Sequence, residues 1–119
     1  MSQQSQTTIL ESLLESKCES LTKGCKPLII PTIESNLSAL AGWQTPLNYA
    51  HIEKTFQFKN YHQTVAFVNA VTWLAHKEDH HPQISFGYNQ CVITLSTHVA
   101  KGLTMNDMIL AAKINALLD

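Results

Sequence analysis

Arginine is absent from this chain: all eight basic residues are lysine. Proteins that grip nucleic acid carry a basic excess and use arginine forks on phosphate and guanine. Here nine acidic residues face eight basic ones, for a formal net charge of -1. That balance argues against direct binding of DNA or RNA, and the missing guanidinium removes a bidentate clamp on a phosphorylated substrate. No apolar run approaches the roughly 20 residues of a spanning helix, so no membrane partner is expected. The opening MSQQSQTT has no positive region of the kind that begins a secretory signal. Three cysteines, Cys18, Cys25 and Cys91, make an odd count without a tight pair, which fits reduced thiols in a cytoplasm. There is no HExxH run and no close cysteine pair to announce a metal centre.

What is present is a chain of 119 residues with 45% apolar content, enough for one domain with its own core. Residues 1 to about 7 are polar and expected to be loose. Thr8 and Glu11 have capping-box spacing, and Leu10, Leu13 and Leu14 make a stripe, so a helix is predicted near 8–17. Gly24, Pro27 and Pro31 break the next stretch. A short helix is predicted from Thr32 to Ala41, closed by Gly42. The imperfect alternation from His51 to Phe58, with Lys54 as the exception on its apolar face, reads as a strand. Asn60 with Gln63 caps a helix over about 60–77, with Tyr61, Val65, Val68 and Thr72 in one stripe and Phe67, Val71 and Leu74 beside it. Ile84–Asn89 and Cys91–Thr97 read as an antiparallel hairpin. Thr104 with Asp107 opens a last helix to about Leu118, with Leu110, Ile114 and Leu117 inward. The fold expected is α+β: an antiparallel sheet of about four strands with helices packed on one face. Residues 1–32 would form a partly helical N-terminal extension and residues 33–119 the functional domain.

The six histidines are the chemical signal, because His76, His80 and His81 fall within six positions. A hairpin can return His98, at the polar end of its second strand, beside His80 and His81. Pro82 biases His81 toward extended backbone, which splays the two adjacent rings apart. His80 lies just past a helix C-terminus, where the dipole favours an imidazolium, and Asp79 is a neighbouring carboxylate able to orient a ring. Free imidazoles titrate near pH ~6.5, so one ring can hold a proton while another lacks it. Such a set suits a reaction that needs an acid and a base together. Other readings stand beside it. His80 and His81 can be a solvated loop and His98 an exposed strand end. Trp43 fits a core anchor, and Asp107 fits a helix cap. His51 and His62 read as surface residues. His76, His80 and His98 could also ligate a metal if the helix reaches that far.

The run His76-x3-His80-His81-Pro82-x5-Tyr88-x9-His98-x8-Asp107 resembles the signature of the pterin-4a-carbinolamine dehydratases. The likeness extends through Gly42-Trp43, Phe56-x-Phe58-Lys59-Asn60, Ile93-Thr94-Leu95-Ser96-Thr97-His98 and Gly102-Leu103-Thr104-x2-Asp107, over roughly residues 33–118. The N-terminal third is similar only loosely. The resemblance implies a cofactor-free dehydration of a 4a-hydroxytetrahydropterin, serving an aromatic amino acid hydroxylase. It implies His80 and His98 as the acid/base pair and His81 as the ring that holds and orients the pterin. Asp79, Pro82, Ser96, Thr97, Val99, Trp43 and Asp107 match substrate-binding positions. It further implies a homodimer or homotetramer. Some members of that family also serve as the dimerisation cofactor of a transcription factor, which leaves a protein-binding role open, as it does a different pterin such as one in molybdenum-cofactor metabolism.

Overall fold

A computed structural model describes residues 3–119. The expectation of a loose start lies, for residues 1 and 2, outside the described residues; residues 3–7 are helical instead. Among the described residues, four α-helices accompany a three-stranded antiparallel sheet: α1 Gln3–Glu15, α2 Ile30–Leu37, β1 Ile52–Gln57, α3 Tyr61–Glu78, β2 Gln83–Phe86, β3 Gln90–Leu95 and α4 Met105–Ala116. The strand order is β1-β3-β2, with Ile52 opposite Leu95 and Ile84 opposite Ile93. The α+β class holds, but the sheet has three strands rather than about four. What resembles a fourth is a single bridge between Gln44 and Glu53.

Each element has a local cause. Helix α1 begins at Gln3, well before Thr8, because Thr7 and Thr8 turn their hydroxyls back onto the carbonyls of Gln3 and Gln4 instead of capping. Helix α2 begins at Ile30 because Pro31 sits in its first turn, where a missing N–H is harmless. It stops at Leu37, short of Ala41: Ala39 and Leu40 donate to Asn36 and Leu37 in tight three-residue turns. Gly42 then takes φ +82, and a Cβ there would fall 2.6 Å from Lys54 Cε.

On the sheet, Ile52, Phe56, Cys91, Ile93 and Leu95 bury one face. Lys54, the misfit in that pattern, turns its ammonium to the Ala41 carbonyl and to Asn115 Oδ1. Strand β2 ends at Phe86, short of Asn89. Gly87 donates to Gln90, and the Tyr88 and Asn89 carbonyls accept from Thr64 Oγ1 and the Phe58 N–H. The buried stripe of α3 is Thr64, Phe67, Val71 and Ala75, rotated from the expected one and leaving Tyr61 and Thr72 exposed. Helix α4 is buried on nearly every side from Asn106 to Ala112 because α1 and α3 both pack on it. Leu117 lies beyond its end and is exposed, against expectation. Leu13 of α1 joins the same core cluster as the sheet and α4. Among the described residues no helix is long and apolar enough to cross a membrane.

Candidate active site

Three chain segments meet at the end of α3 and of β3. Helix α3 stops because Asp79 enters the left-handed region at φ 52, with the His80 N–H bonded to Ala75 and the Asp79 N–H to His76. That turn throws the Asp79 side chain outward and brings His80 in: Asp79 is 87% exposed and His80 only 12%. The next ring diverges as Pro82 suggests, His81 being 70% exposed.

Strand β3 ends at Leu95, and Thr97 and Gly102 close a small loop by a backbone bridge. His98 therefore starts a 3-10 turn, His98–Ala100, rather than ending a strand. Its ring is exposed and has no side-chain partner among the described residues. His80, His81 and His98 line one open cleft of about 360 Å³, together with Asp79, Ser96, Thr97 and Val99. Trp43 and Pro82 are not on its lining. Trp43 is buried, donates from Nε1 to Asn115 Oδ1 and meets Phe56 edge-on.

Behind His80 lies Asp107, fully buried in the first turn of α4. Its Oδ1 is 2.6 Å from His80 Nε2, and its Oδ2 accepts from Thr97 Oγ1 at 2.8 Å and from the Thr104 N–H at 2.9 Å. Since Thr97 uses its one hydrogen on Asp107, the 2.7 Å contact between the two threonine hydroxyls runs from Thr104 to Thr97. An ionised Asp107 can only accept, so its bond at Oδ1 takes Nε2 of His80 as the donor and leaves Nδ1 of the neutral ring with the lone pair. Asp79, the carboxylate next to His80 in the chain, instead stands 4.0 Å from His81. Asp107 is both helix cap and ring anchor; only the first role was visible in its spacing from Thr104.

Four further residues line the cleft that sequence reasoning did not single out: Glu19, Ser20, Leu21 and Asn106. No sequence signal marks the first three, because they come after α1 in a stretch without periodicity. Nearby, Glu78 pairs with Lys113 at 2.8 Å and accepts the Cys18 N–H at 2.9 Å. Burial resists ionisation of Glu78, but these two hydrogen bonds and the lysine charge outweigh it and hold its pKa below the ordinary value. A depressed carboxyl contributes stability fully above its unfolded pKa, about 4.3, and loses it as pH falls through the folded value. Urea midpoints should therefore separate wild type from Glu78→Gln most at neutral pH, with the gap closing below about pH 4. A gap that stays constant down to pH 3 would contradict this.

Cys18 precedes the lining residue Glu19 and is not itself on the cleft. Burial, then the Glu78 carboxylate, push its thiol up to about 12, and its Sγ lies 3.4 Å from the Asn106 carbonyl. Native protein at pH 8 should therefore resist alkylation at Cys18 and lose that resistance in urea, as read by peptide mass mapping. Among the described residues no group of three or more His, Cys, Asp or Glu side chains converges to hold a metal ion, so His76, His80 and His98 do not form the ligand set considered from spacing. His76 stacks on Trp73 instead.

The model of the family described as "Pterin 4 alpha carbinolamine dehydratase" matches residues 26–117. A protein of Hydrogenovibrio crunogenus, provisionally named a pterin-4-alpha-carbinolamine dehydratase, is 62% identical over 91% of this chain and 96% of its own. One from Nitrosomonas eutropha with the same provisional name is 49% identical over 89% and 93%. The crystal structure of a transcriptional coactivator/pterin dehydratase from Brucella melitensis superposes with a TM-score of 0.75 at 33% identity, covering 79% of this chain and all of that one.

Proposed function

The chain belongs to the pterin 4 alpha carbinolamine dehydratase family, and on that premise we propose that it is a hydro-lyase that converts 4a-hydroxytetrahydropterin to quinonoid dihydropterin and water. The observation that carries the reading is the convergence of His80, His81 and His98 on one cleft, with His80 anchored from behind by Asp107.

The reaction asks for two proton movements. The hydroxyl on C4a must gain a proton to leave as water, and N5 must lose one as the C4a–N5 double bond forms. The Nδ1 lone pair of His80, fixed by the Asp107 bond at Nε2, suits the acceptor role. His98, whose side chain has no partner among the described residues, is free to donate to the departing hydroxyl when protonated. His81 and Asp79, at the open side, suit holding the heterocycle, as do Ser96, Thr97 and Val99. Thr97 also belongs to the Asp107 network, so its side chain anchors the site while its backbone borders the ligand. Pro82 contributes by setting the direction of His81, and Trp43 by supporting the β1 end of the core; neither contacts the ligand in this reading. No step calls for a cofactor or a metal ion.

The natural setting would be regeneration of the pterin used by an aromatic amino acid hydroxylase, in a cytoplasm that keeps the three free cysteines reduced. Self-association as a dimer or tetramer fits the exposed Phe86 on edge strand β2 and the exposed Trp73 on α3. The test is the rate of spectral conversion of freshly made 4a-hydroxytetrahydrobiopterin, with and without protein, before and after chelation. Acceleration that survives chelation is expected. No acceleration would reject the reading, and loss on chelation would reject the metal-free mechanism.

A further inference from the structure

The cleft has a wall that the family match does not include. Residues 19–21 line it, yet the matched region begins at residue 26. This wall is held in a defined place. The Asn106 side chain accepts from the Glu19 N–H at 2.9 Å and donates to the Glu19 carbonyl at 2.8 Å, imitating a backbone bridge with an amide. One residue earlier, the Cys18 N–H bonds to Glu78. Asn106 is buried and sits beside Asp107; Glu78 sits beside Asp79. The segment is thus tied to both stretches that carry the acid/base machinery.

Two acidic residues are on the lining of the cleft, Asp79 and Glu19, and Glu19 is exposed. Asp79 has the His81 ring 4.0 Å away. The Glu19 carboxylate has no hydrogen-bond or ion-pair partner among the described residues, although its backbone is pinned on both sides. A pterin whose C4a and N5 lie at His80 and His98 presents, at its far end, the 2-amino group and N3–H, two donors side by side. A carboxylate is the acceptor pair that matches them. Building on the pterin reading above, we infer that Glu19 is a specificity-determining residue that accepts hydrogen bonds from the aminopyrimidinone edge of the substrate, and that Asn106 is the positioning residue that holds it there.

Two ligands separate this from a merely structural role: 7,8-dihydrobiopterin, which carries the 2-amino group, and the corresponding dihydrolumazine, which has an oxo group in its place. Wild type should bind the first about tenfold or more tightly than the second, the range expected for hydrogen bonds to a charged acceptor. Glu19→Gln should lose most of that preference and raise KM about tenfold, with a smaller change in kcat. Asn106→Ala should weaken the preference in the same direction, and combining it with Glu19→Gln should add little further. Melting temperatures of the variants establish that they are folded. Should folded Glu19→Gln keep the full preference for the amino ligand, the inference falls while the dehydratase reading stands. Should wild type bind neither ligand, both fall together.

Discussion

Replacing His98 with alanine should lower kcat for dehydration by about 10²–10⁴-fold while leaving the fold intact. The expectation is clean because of where the ring sits. It is exposed, heads a 3-10 turn and has no side-chain partner among the described residues. Truncation therefore removes no packing and orphans no buried group, and stability should move by less than about 0.5 kcal/mol. His80→Ala should cost activity on the same scale but also stability, since Asp107 loses the donor at its Oδ1. His81→Ala should act chiefly on KM, because that ring stands at the open side of the cleft. Steady-state kinetics on both substrate epimers, with thermal melts alongside, would check the set. A His98→Ala enzyme within about threefold of wild-type kcat on both epimers would remove that ring from the chemistry.

Asp107→Asn should be folded and nearly inactive, with kcat reduced by about 10²–10⁴-fold. The reason lies in which neighbours can adapt. The Thr104 N–H is fixed by the backbone and points at Oδ2, so an amide placed there presents its oxygen to that donor. Its NH2 group then faces His80 Nε2 and can only donate. Nε2 must become the acceptor, the ring proton moves to Nδ1, and the nitrogen that served as base is occupied. Asp107→Ala differs, because it leaves the Thr97 hydroxyl, the Thr104 N–H and His80 without their acceptor inside the protein. A stability loss of about 3 kcal/mol or more is expected. Urea melts and kcat measured in parallel distinguish the two effects. An Asp107→Asn enzyme with near wild-type turnover would show that the tautomer of His80 does not matter.

Local signals predicted the parts of the fold that local chemistry decides. The Asn60 cap, the turn toward Pro82 and the alternation of Cys91, Ile93 and Leu95 are written in neighbouring residues; the structure has α3 and its stop where those signals put them, and β3 over Gln90–Leu95, ending two residues before the expected Thr97. What escaped depends on distant partners. Pro31 looks like a breaker in isolation but occupies the first turn of α2. The sheet has three strands rather than about four, and Gln44 adds only a single bridge to β1. Asp79 is the conspicuous carboxylate beside His80, yet its left-handed backbone sends it to solvent, and the working partner is Asp107, 27 positions away. No pattern in the sequence could show that residues 19–21 reach the cleft, since what brings them there is an asparagine side chain 87 positions on.

The proposed dehydration requires a pterin lying between His80, His81 and His98, and the six histidines allow that to be read directly. Long-range proton–nitrogen correlation of the imidazoles, assigned by single substitutions, can be followed as 7,8-dihydrobiopterin is added. The rings of residues 80, 81 and 98 should shift in step with one binding constant, while those of residues 51, 62 and 76 stay still. Saturable shifts confined to the latter three, or none anywhere at millimolar ligand, would contradict it.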